Sequence, residues 1–163
     1  MTPQSPSRKV LALVGLACAA AVGGALIAQH RFGMEPCPWC ILQRLLFLTI
    51  AVLSLVAAAL PWPVARRGLA LLVVPVAAGG VAAALWQHFV AAKTASCALT
   101  LADRIVGGLG FDTRWPEVFE VRASCADAAT KLLGVPFEFW SLALFAVAGV
   151  VALVCALSRR RRF

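Results

Sequence analysis

Four long apolar stretches limit the folds that this chain can adopt. They span residues 10–29, 41–60, 69–90 and 139–157. A helix of roughly 20 residues crosses the ~30 Å hydrocarbon core of a bilayer. The chain is 62% hydrophobic and 13% charged, which is too apolar for a water-soluble fold of its size. The sequence therefore predicts an all-α membrane protein, a four-transmembrane-helix bundle that forms one domain over residues 1–163. Small residues are expected to let the helices approach closely, namely Gly23, Gly24, Gly79 and Gly80.

Basic residues are concentrated at the two ends of the chain and in the link between the second and third stretches. They are Arg8, Lys9, Arg66, Arg67 and Arg159 to Arg162, with no acidic residue among them. Loops rich in Lys and Arg stay in the cytoplasm, so both termini are predicted inside and residues 30–40 and 91–138 form outer loops. The net charge of +8 therefore indicates topology, and nucleic acid is not a predicted partner.

The first stretch has a competing interpretation as a cleaved signal peptide, because Arg8 and Lys9 precede an apolar run. That run is longer than the roughly 7–15 apolar residues of a signal peptide, which favours an uncleaved helix. Cleavage would leave three spans without moving the later loops to the other side.

The six cysteines form two groups. Cys18 and Cys155 lie in the middle of apolar stretches, where a buried thiol usually serves as a small packing group. The other four lie on the outer face, which is the oxidising side of the membrane. They are Cys37, Cys40, Cys97 and Cys125.

Three kinds of site compete for these four cysteines. A zinc site usually has two closely spaced ligand pairs, whereas 27 residues separate Cys97 from Cys125, so no metal is predicted. Covalent haem is excluded because Ile41, not histidine, follows the C-x-x-C pair. Structural disulfides stay possible for the long loop. A bridge from Cys37 to Cys40 closes too short a loop to stabilise a fold, so this pair is interpreted as redox-active.

The segment E-P-C-P-W-C predicts the start of the second helix, with Cys37 near the N-cap and Cys40 in the first turn. The free N–H groups of a helix start favour a thiolate. Arg44 follows Cys40 by four residues and lies on the same helical face. This arginine either anchors the helix end at the interface or binds a polar group of a lipid-soluble electron acceptor such as a quinone.

His88, at the end of the third stretch, is either a structural histidine or part of the acceptor site. Trp39 is expected near the outer interface with Trp86 and Trp140, where it belongs to the aromatic belt or shields the redox pair.

The outer segment 91–138 is predicted to contain short helices. Leu101, Ile105 and Leu109 recur every fourth residue and predict a helix after Cys97, broken by the glycines that begin at Gly107. In R-W-P-E-V-F-E, Trp115 and Phe119 share a face opposite the glutamates, which predicts a helix on the membrane surface or one packed on the loop. Residues 134–136 predict the end of another short helix and the start of the last span.

Several motifs together resemble the DsbB family of bacterial disulfide bond formation proteins. They are E-P-C-P-W-C-I-L-Q-R, W-Q-H at the end of the third stretch, W-P-E-V-F between two loop cysteines, and L-G-V-P-F-E-F-W-S-L. The resemblance covers nearly the whole chain. It implies a multi-pass protein of the bacterial inner membrane whose redox loops are periplasmic.

The resemblance also implies roles for the cysteines. A periplasmic DsbA-like thiol oxidoreductase would attack a Cys97–Cys125 disulfide and form a mixed disulfide with Cys97. Cys125 would then exchange with Cys37, and Cys40 would pass the electrons to ubiquinone or menaquinone.

Arg44 would bind the quinone, with a contribution from His88. Trp39 departs from the smaller aliphatic residue common in the family, which leaves the potential of the pair open.

Two other classes of protein remain as alternatives. A vitamin K epoxide reductase-like enzyme also couples thiols to quinones, but its C-x-x-C usually follows the loop cysteines, whereas Cys37 and Cys40 precede them here. A non-enzymatic membrane scaffold with structural disulfides would keep the Cys37–Cys40 bridge under reducing conditions and would not respond to quinone.

Overall fold

Four long helices dominate the computed structural model, which describes residues 6–93 and 100–158. They are α1 (Pro6–Phe32), α2 (Pro38–Ala59), α3 (Pro63–Phe89) and α7 (Phe137–Leu157). All four are long and apolar enough to cross a membrane, so the predicted four-helix membrane fold is confirmed. Each helix begins earlier than the predicted apolar stretch. At α2 and α3 a proline occupies the first turn, where its missing N–H costs no helical hydrogen bond.

In the described parts of the outer segment, residues 91–93 and 100–138, there are one 3₁₀ turn, three short helices and a hairpin. These elements are Ala91–Lys93, α4 (Leu101–Leu109), α5 (Phe111–Arg114), α6 (Pro116–Phe119), β1 (Lys131–Leu132) and β2 (Val135–Pro136). The predicted helix after Cys97 is present as α4, and a capping box between Thr100 and Asp103 begins it. The helix continues through Gly107, where a break was expected, and ends at Gly110, whose φ of 65° suits a glycine C-cap.

The segment around Trp115 differs from the single helix that its pattern predicts. Trp115 separates α5 from α6 because the residue before a proline is disfavoured in the helical region, and Pro116 follows it. Phe119 is buried against Ile41 and Val106, so this part of the segment packs on the protein. Contact of the half-exposed Trp115 with a membrane surface stays a prediction.

The predicted helix end at residues 134–136 is wrong, because a two-residue hairpin turn lies there. Leu132 pairs with Val135 across the antiparallel strands β1 and β2. The turn residues Leu133 and Gly134 have φ values of 55° and 80°. Two positive φ values in a two-residue loop match the twist of the two flanking strands. This backbone conformation is typical of a hairpin and not of a helix end.

The helices pack in the order α1, α2, α3, α7. At the centre, the rings of Phe47 and Phe145 stack with centroids 3.9 Å apart. Gly80 makes room for Phe145, as its predicted role in close packing requires. The other predicted glycines are Gly23, Gly24 and Gly79. A methyl group added at any of these three would meet no atom within 4 Å, so the expectation of close packing was wrong for them.

Gly80→Ala should destabilise the bundle, whereas Gly79→Ala should not. A methyl group at residue 80 would overlap the ring of Phe145, and overpacking of this kind costs about 1–3 kcal/mol. Residue 79 is exposed with open space around it, and there alanine stabilises a helix by up to about 1 kcal/mol relative to glycine. Thermal unfolding of both variants in detergent measures the difference. Equal melting temperatures would contradict the close packing at residue 80.

Basic side chains bind the carbonyl groups that end two of the helices. Arg8 donates from Nε to the carbonyl of Ala58 at 2.8 Å, and Arg67 donates from Nη2 to the carbonyl of Ser158 at 2.8 Å. The last carbonyls of a helix have no partner within the helix and carry partial negative charge. These arginines therefore lie together at the end of the bundle opposite the outer segment. Arg159 to Arg162 lie outside the described residues.

Candidate redox site

The start of α2 holds the C-x-x-C pair. Cys37 is the N-cap residue, and Pro38 occupies the first helical position. The backbone N–H of Cys40 donates to the sulfur of Cys37 at 3.3 Å, as expected of an N-cap side chain. The two sulfur atoms are 2.6 Å apart. The positions expected for both cysteines from E-P-C-P-W-C are therefore those in the structure.

Cys125 joins this pair from the other outer loop. Its sulfur is hydrogen-bonded to the thiol of Cys37 and to the backbone N–H of Trp39. The backbone N–H groups of Arg122 and Ala123 donate to the carbonyl of Pro36 at 3.0 and 3.2 Å. These bonds hold the chain just before Cys125 against the residue just before Cys37. Three of the four predicted cysteines thus meet at the start of one helix.

The hydrogen bonds shift the pKa values of Cys37 and Cys125 in opposite directions. Donation from Cys37 to the sulfurs of Cys125 and Cys40, together with burial, raises the pKa of Cys37. Acceptance of the Cys37 hydrogen bond lowers the pKa of Cys125, and the Trp39 N–H lowers it further. Cys125 is therefore the sulfur that more readily becomes a thiolate, the form that attacks a disulfide.

Arg44 lies one helical turn beyond Cys40 and is only 6% exposed. Its Nη1 donates to Oε1 of Gln29 at 2.7 Å and to the carbonyl of Val118 at 2.9 Å. The side chain therefore does not extend to the interface as an anchor, and it links α1, α2 and α6 instead. Its Nε and Nη2 make no hydrogen bond within the described part of the chain, so donors remain for another acceptor.

His88 forms a hydrogen bond with the carboxyl group of Glu138 in the last span. Its Nδ1 lies 2.7 Å from Oε1 of Glu138, which is 6% exposed. The ring also packs against Phe89 and Phe139, with centroids 4.9 and 4.6 Å away. This pairing fixes the ring orientation and leaves Nε2 for another partner.

Four polar residues of this region were not predicted as site residues. They are Gln29, Gln43, Gln87 and Glu138, all buried. Gln87 donates from Nε2 to the sulfur of Cys40 at 3.3 Å, and Gln43 donates to Gln87 at 2.6 Å. The available signal was their position inside or at the end of an apolar stretch, where polar side chains are costly and often functional.

The remaining predicted residues are found in three places: outside the described residues, in the core of the bundle, or beside the three sulfurs. Cys97 lies among residues 94–99, outside the described residues. Cys18 is buried in the bundle core near Phe47, as a packing group would be. Trp39 is buried beside the three sulfurs and therefore shields them instead of joining an exposed belt. Within residues 6–93 and 100–158, no group of His, Cys, Asp and Glu has the arrangement of a metal site.

An apolar groove of about 400 Å³ runs between α2 and the aromatic rings of α5 and α6. Its lining includes Leu45 and Thr49 of α2, and Phe111 and Trp115 of the outer segment. With 3.6 residues per turn, Thr49 lies on the side of α2 opposite to Cys40. The groove therefore faces away from the sulfur.

Comparison with known proteins finds relatives that match almost the whole chain. The family model of disulfide bond formation protein DsbB matches residues 7–155. Disulfide bond formation protein B 1 of Pseudomonas savastanoi pv. phaseolicola is 36% identical over 159 residues, which cover 95% of this chain and 92% of the relative. The protein of the same name from Pseudomonas putida is 36% identical, covering 95% and 93% of the two chains. The one from Burkholderia lata is 34% identical, covering 95% and 91%. The chain therefore belongs to the DsbB family of disulfide bond formation proteins.

Proposed function

We propose that this protein oxidises a periplasmic DsbA-like dithiol protein and passes the electrons to a membrane quinone. The observation that carries the proposal is the meeting of Cys37, Cys40 and Cys125 at the start of α2. A loop cysteine within hydrogen-bond contact of a C-x-x-C pair is placed for disulfide exchange, which requires a thiolate to approach a sulfur directly. A scaffold with two independent structural disulfides has no need of this contact.

The first exchange takes place on the outer loop. A thiolate of the partner attacks Cys97 in the Cys97–Cys125 disulfide, and Cys125 leaves with the electron pair of the broken bond. The second partner thiol then displaces Cys97, so the partner gains a disulfide and the loop becomes a dithiol. The hydrogen bonds from Cys37 and from the Trp39 N–H lower the pKa of Cys125, which supports its role as the leaving group.

The second exchange transfers the two electrons to the C-x-x-C pair. The Cys125 thiolate attacks Cys37, a Cys37–Cys125 bond forms, and Cys40 leaves as a thiolate. Cys97 then attacks Cys125, which restores the loop disulfide and leaves Cys37 and Cys40 reduced. Attack at Cys37 is favoured because the sulfur of Cys125 already contacts it.

The residues near Cys40 fit a quinone as the final acceptor. A quinone takes up two electrons and two protons, which balances the reoxidation of Cys37 and Cys40 to a disulfide. Its carbonyl oxygens need hydrogen-bond donors, and the free N–H groups of Arg44 supply them beside the thiolate. We assign His88, oriented by Glu138, as a second contact to the quinone through Nε2. Ubiquinone and menaquinone both meet this requirement.

The proposed location is the bacterial inner membrane, with both termini in the cytoplasm and the redox loops in the periplasm. Four apolar helices support a multi-pass protein. The arginines at the end of the bundle opposite the sulfurs support this orientation, because basic residues flanking spans favour the cytoplasmic side.

Reoxidation by quinone tests the proposed function. The purified protein is fully reduced, freed of reductant, and incubated with ubiquinone or menaquinone before the remaining thiols are alkylated and mapped. We expect Cys37 and Cys40 to become protected from alkylation while Cys18 and Cys155 do not change. Protein incubated without quinone is the control. If Cys37 and Cys40 stay fully reactive with both quinones, the enzyme proposal fails and the scaffold alternative gains support.

A further inference from the structure

Two glutamines on neighbouring helices form a hydrogen-bonded chain that ends at the sulfur of Cys40. Nε2 of Gln43 donates to Oε1 of Gln87 at 2.6 Å, and Nε2 of Gln87 donates to the Cys40 sulfur at 3.3 Å. The two side chains are only 4% and 6% exposed. Burial of an amide costs free energy even when it is partly hydrogen-bonded. The chain of amides therefore needs an explanation beyond packing.

The direction of the chain determines what Gln87 presents to the sulfur. An amide has one accepting end and one donating end, and Gln43 occupies the accepting oxygen of Gln87. The donating NH₂ group is thus the end turned toward Cys40. A thiolate accepts hydrogen bonds and cannot donate them, so a fixed donor at this distance favours the charged form of the sulfur.

The amide pair differs from the other groups that act on Cys40. Arg44 and the α2 start act through charge and dipole, and Cys37 carries a proton that it can lose. The amides carry no titratable proton, so their donor is present at every pH. They also sit on α2 and α3 in the packed part of the bundle, whereas Cys125 approaches from a loop.

We propose that Gln87 is a catalytic residue that stabilises the Cys40 thiolate, and that Gln43 is a positioning residue that keeps the Gln87 donor turned toward the sulfur. The role rests on the proposed function, in which the Cys37–Cys40 bond breaks with its electron pair on Cys40 while the Cys37–Cys125 bond forms. Donation by Gln87 lowers the energy of the leaving thiolate, and the same donor remains in place when Cys40 gives up its electrons.

Alkylation of the reduced protein tests both roles without quinone or partner. Reduced protein in detergent is treated with iodoacetamide across a pH series, and fragmentation of the peptide that contains both cysteines distinguishes Cys40 from Cys37. For Gln87→Met, which keeps the size of the side chain, we expect alkylation of Cys40 at pH 7 to slow about tenfold, because hydrogen bonds to charged groups are among the stronger ones. The midpoint of the pH profile should rise by about one unit.

Variants of Gln43 separate positioning from packing. Gln43→Glu replaces a donor with a carboxylate that only accepts, so Gln87 should turn around and point its oxygen at Cys40. We expect this variant to slow alkylation at least as much as Gln87→Met, and Gln43→Leu to slow it less. Ser54→Ala is the matched control, since Ser54 is fully buried in α2 and its hydroxyl has no hydrogen-bond partner among the described residues.

The proposal is overturned if Gln87→Met and Gln43→Leu both keep the wild-type pH midpoint of Cys40 alkylation, or if Ser54→Ala shifts that midpoint equally. If Gln87→Met does not fold, Gln43→Leu decides, because it removes the amide that orients Gln87 and introduces no charge near Cys40. The wild-type quinone assay is separate from these measurements. Quinone can fail to reoxidise the wild-type protein while the alkylation midpoint still shifts in Gln87→Met. That outcome would reject the proposed function and keep the role of the amides in thiolate stabilisation.

Discussion

Cys125→Ala abolishes steady-state oxidation of the partner and leaves the partner bound to Cys97 through a mixed disulfide. Without Cys125 there is no loop disulfide to attack and no thiolate to carry electrons to Cys37. Removing a residue that forms the covalent intermediate lowers turnover by about 10³-fold or more. The mixed disulfide persists when the partner keeps only its attacking cysteine, because no second thiol of the partner is then present to displace Cys97. Cys97 of the purified variant is first converted to a mixed disulfide with a small thiol, which leaves when the thiolate of the reduced partner attacks Cys97. The Cys97–partner disulfide is then detected by non-reducing electrophoresis.

Cys18→Ala and Cys155→Ala are the controls for this experiment, because both residues lie in the span helices and away from the three sulfurs. They should turn over at the wild-type rate. A mixed disulfide that depends on Cys37 instead of Cys97 would reverse the assigned order of the two cysteine pairs. Such an order would move the protein toward the vitamin K epoxide reductase-like alternative.

Much of the fold follows from properties that act locally along the chain. A run of about 20 apolar residues has few options besides a membrane-spanning helix, since every backbone group must be hydrogen-bonded within the lipid. The start of α2 was equally predictable, because Pro36 and Pro38 leave Cys37 as the N-cap. The polar partners of the site were not predictable in this way. Gln43 meets Gln87 only when α2 packs on α3, and His88 meets Glu138 only when α3 packs on α7.

The outer segment was predicted least well for a physical reason. Helices of four residues are too short to be stable alone, so tertiary contacts decide whether they form. Phe119 packs on Ile41 and Val106, and this contact replaces the surface helix that its spacing predicts. The hairpin is a further case, since two-residue turns of its type usually begin with asparagine and this one has Leu133, which is 86% exposed.

The buried charge of Arg44 links the fold to the proposed chemistry. Burying an unpaired guanidinium would be costly, and two hydrogen bonds from Nη1 offset part of that cost. One of the acceptors is the carbonyl of Val118 in the outer segment, so the arginine also holds α6 against α2. A variant at this position therefore affects both the loop and the acceptor site, and the two effects need separate measurements.

Arg44→Leu should raise the KM for quinone by about 10–100-fold at saturating partner, because hydrogen bonds to a charged donor are worth about 1.5–3 kcal/mol. Arg44→Lys keeps the charge and loses the planar set of donors, so it should recover only part of the affinity. Initial rates of quinone reduction at varied quinone concentration separate KM from kcat.

Gln29→Leu is the matched control for these variants, because it removes the side-chain partner of Arg44 and leaves the arginine in place. This variant should disturb the loop as much as Arg44→Leu does, as measured by protease sensitivity of residues 111–119, while its KM for quinone stays within about threefold of wild type. A KM that rises equally in Gln29→Leu and Arg44→Leu would mean that the arginine acts by holding α6. If the KM for quinone rises in Arg44→Leu, rises less in Arg44→Lys and does not rise in Gln29→Leu, the donors of Arg44 bind the quinone.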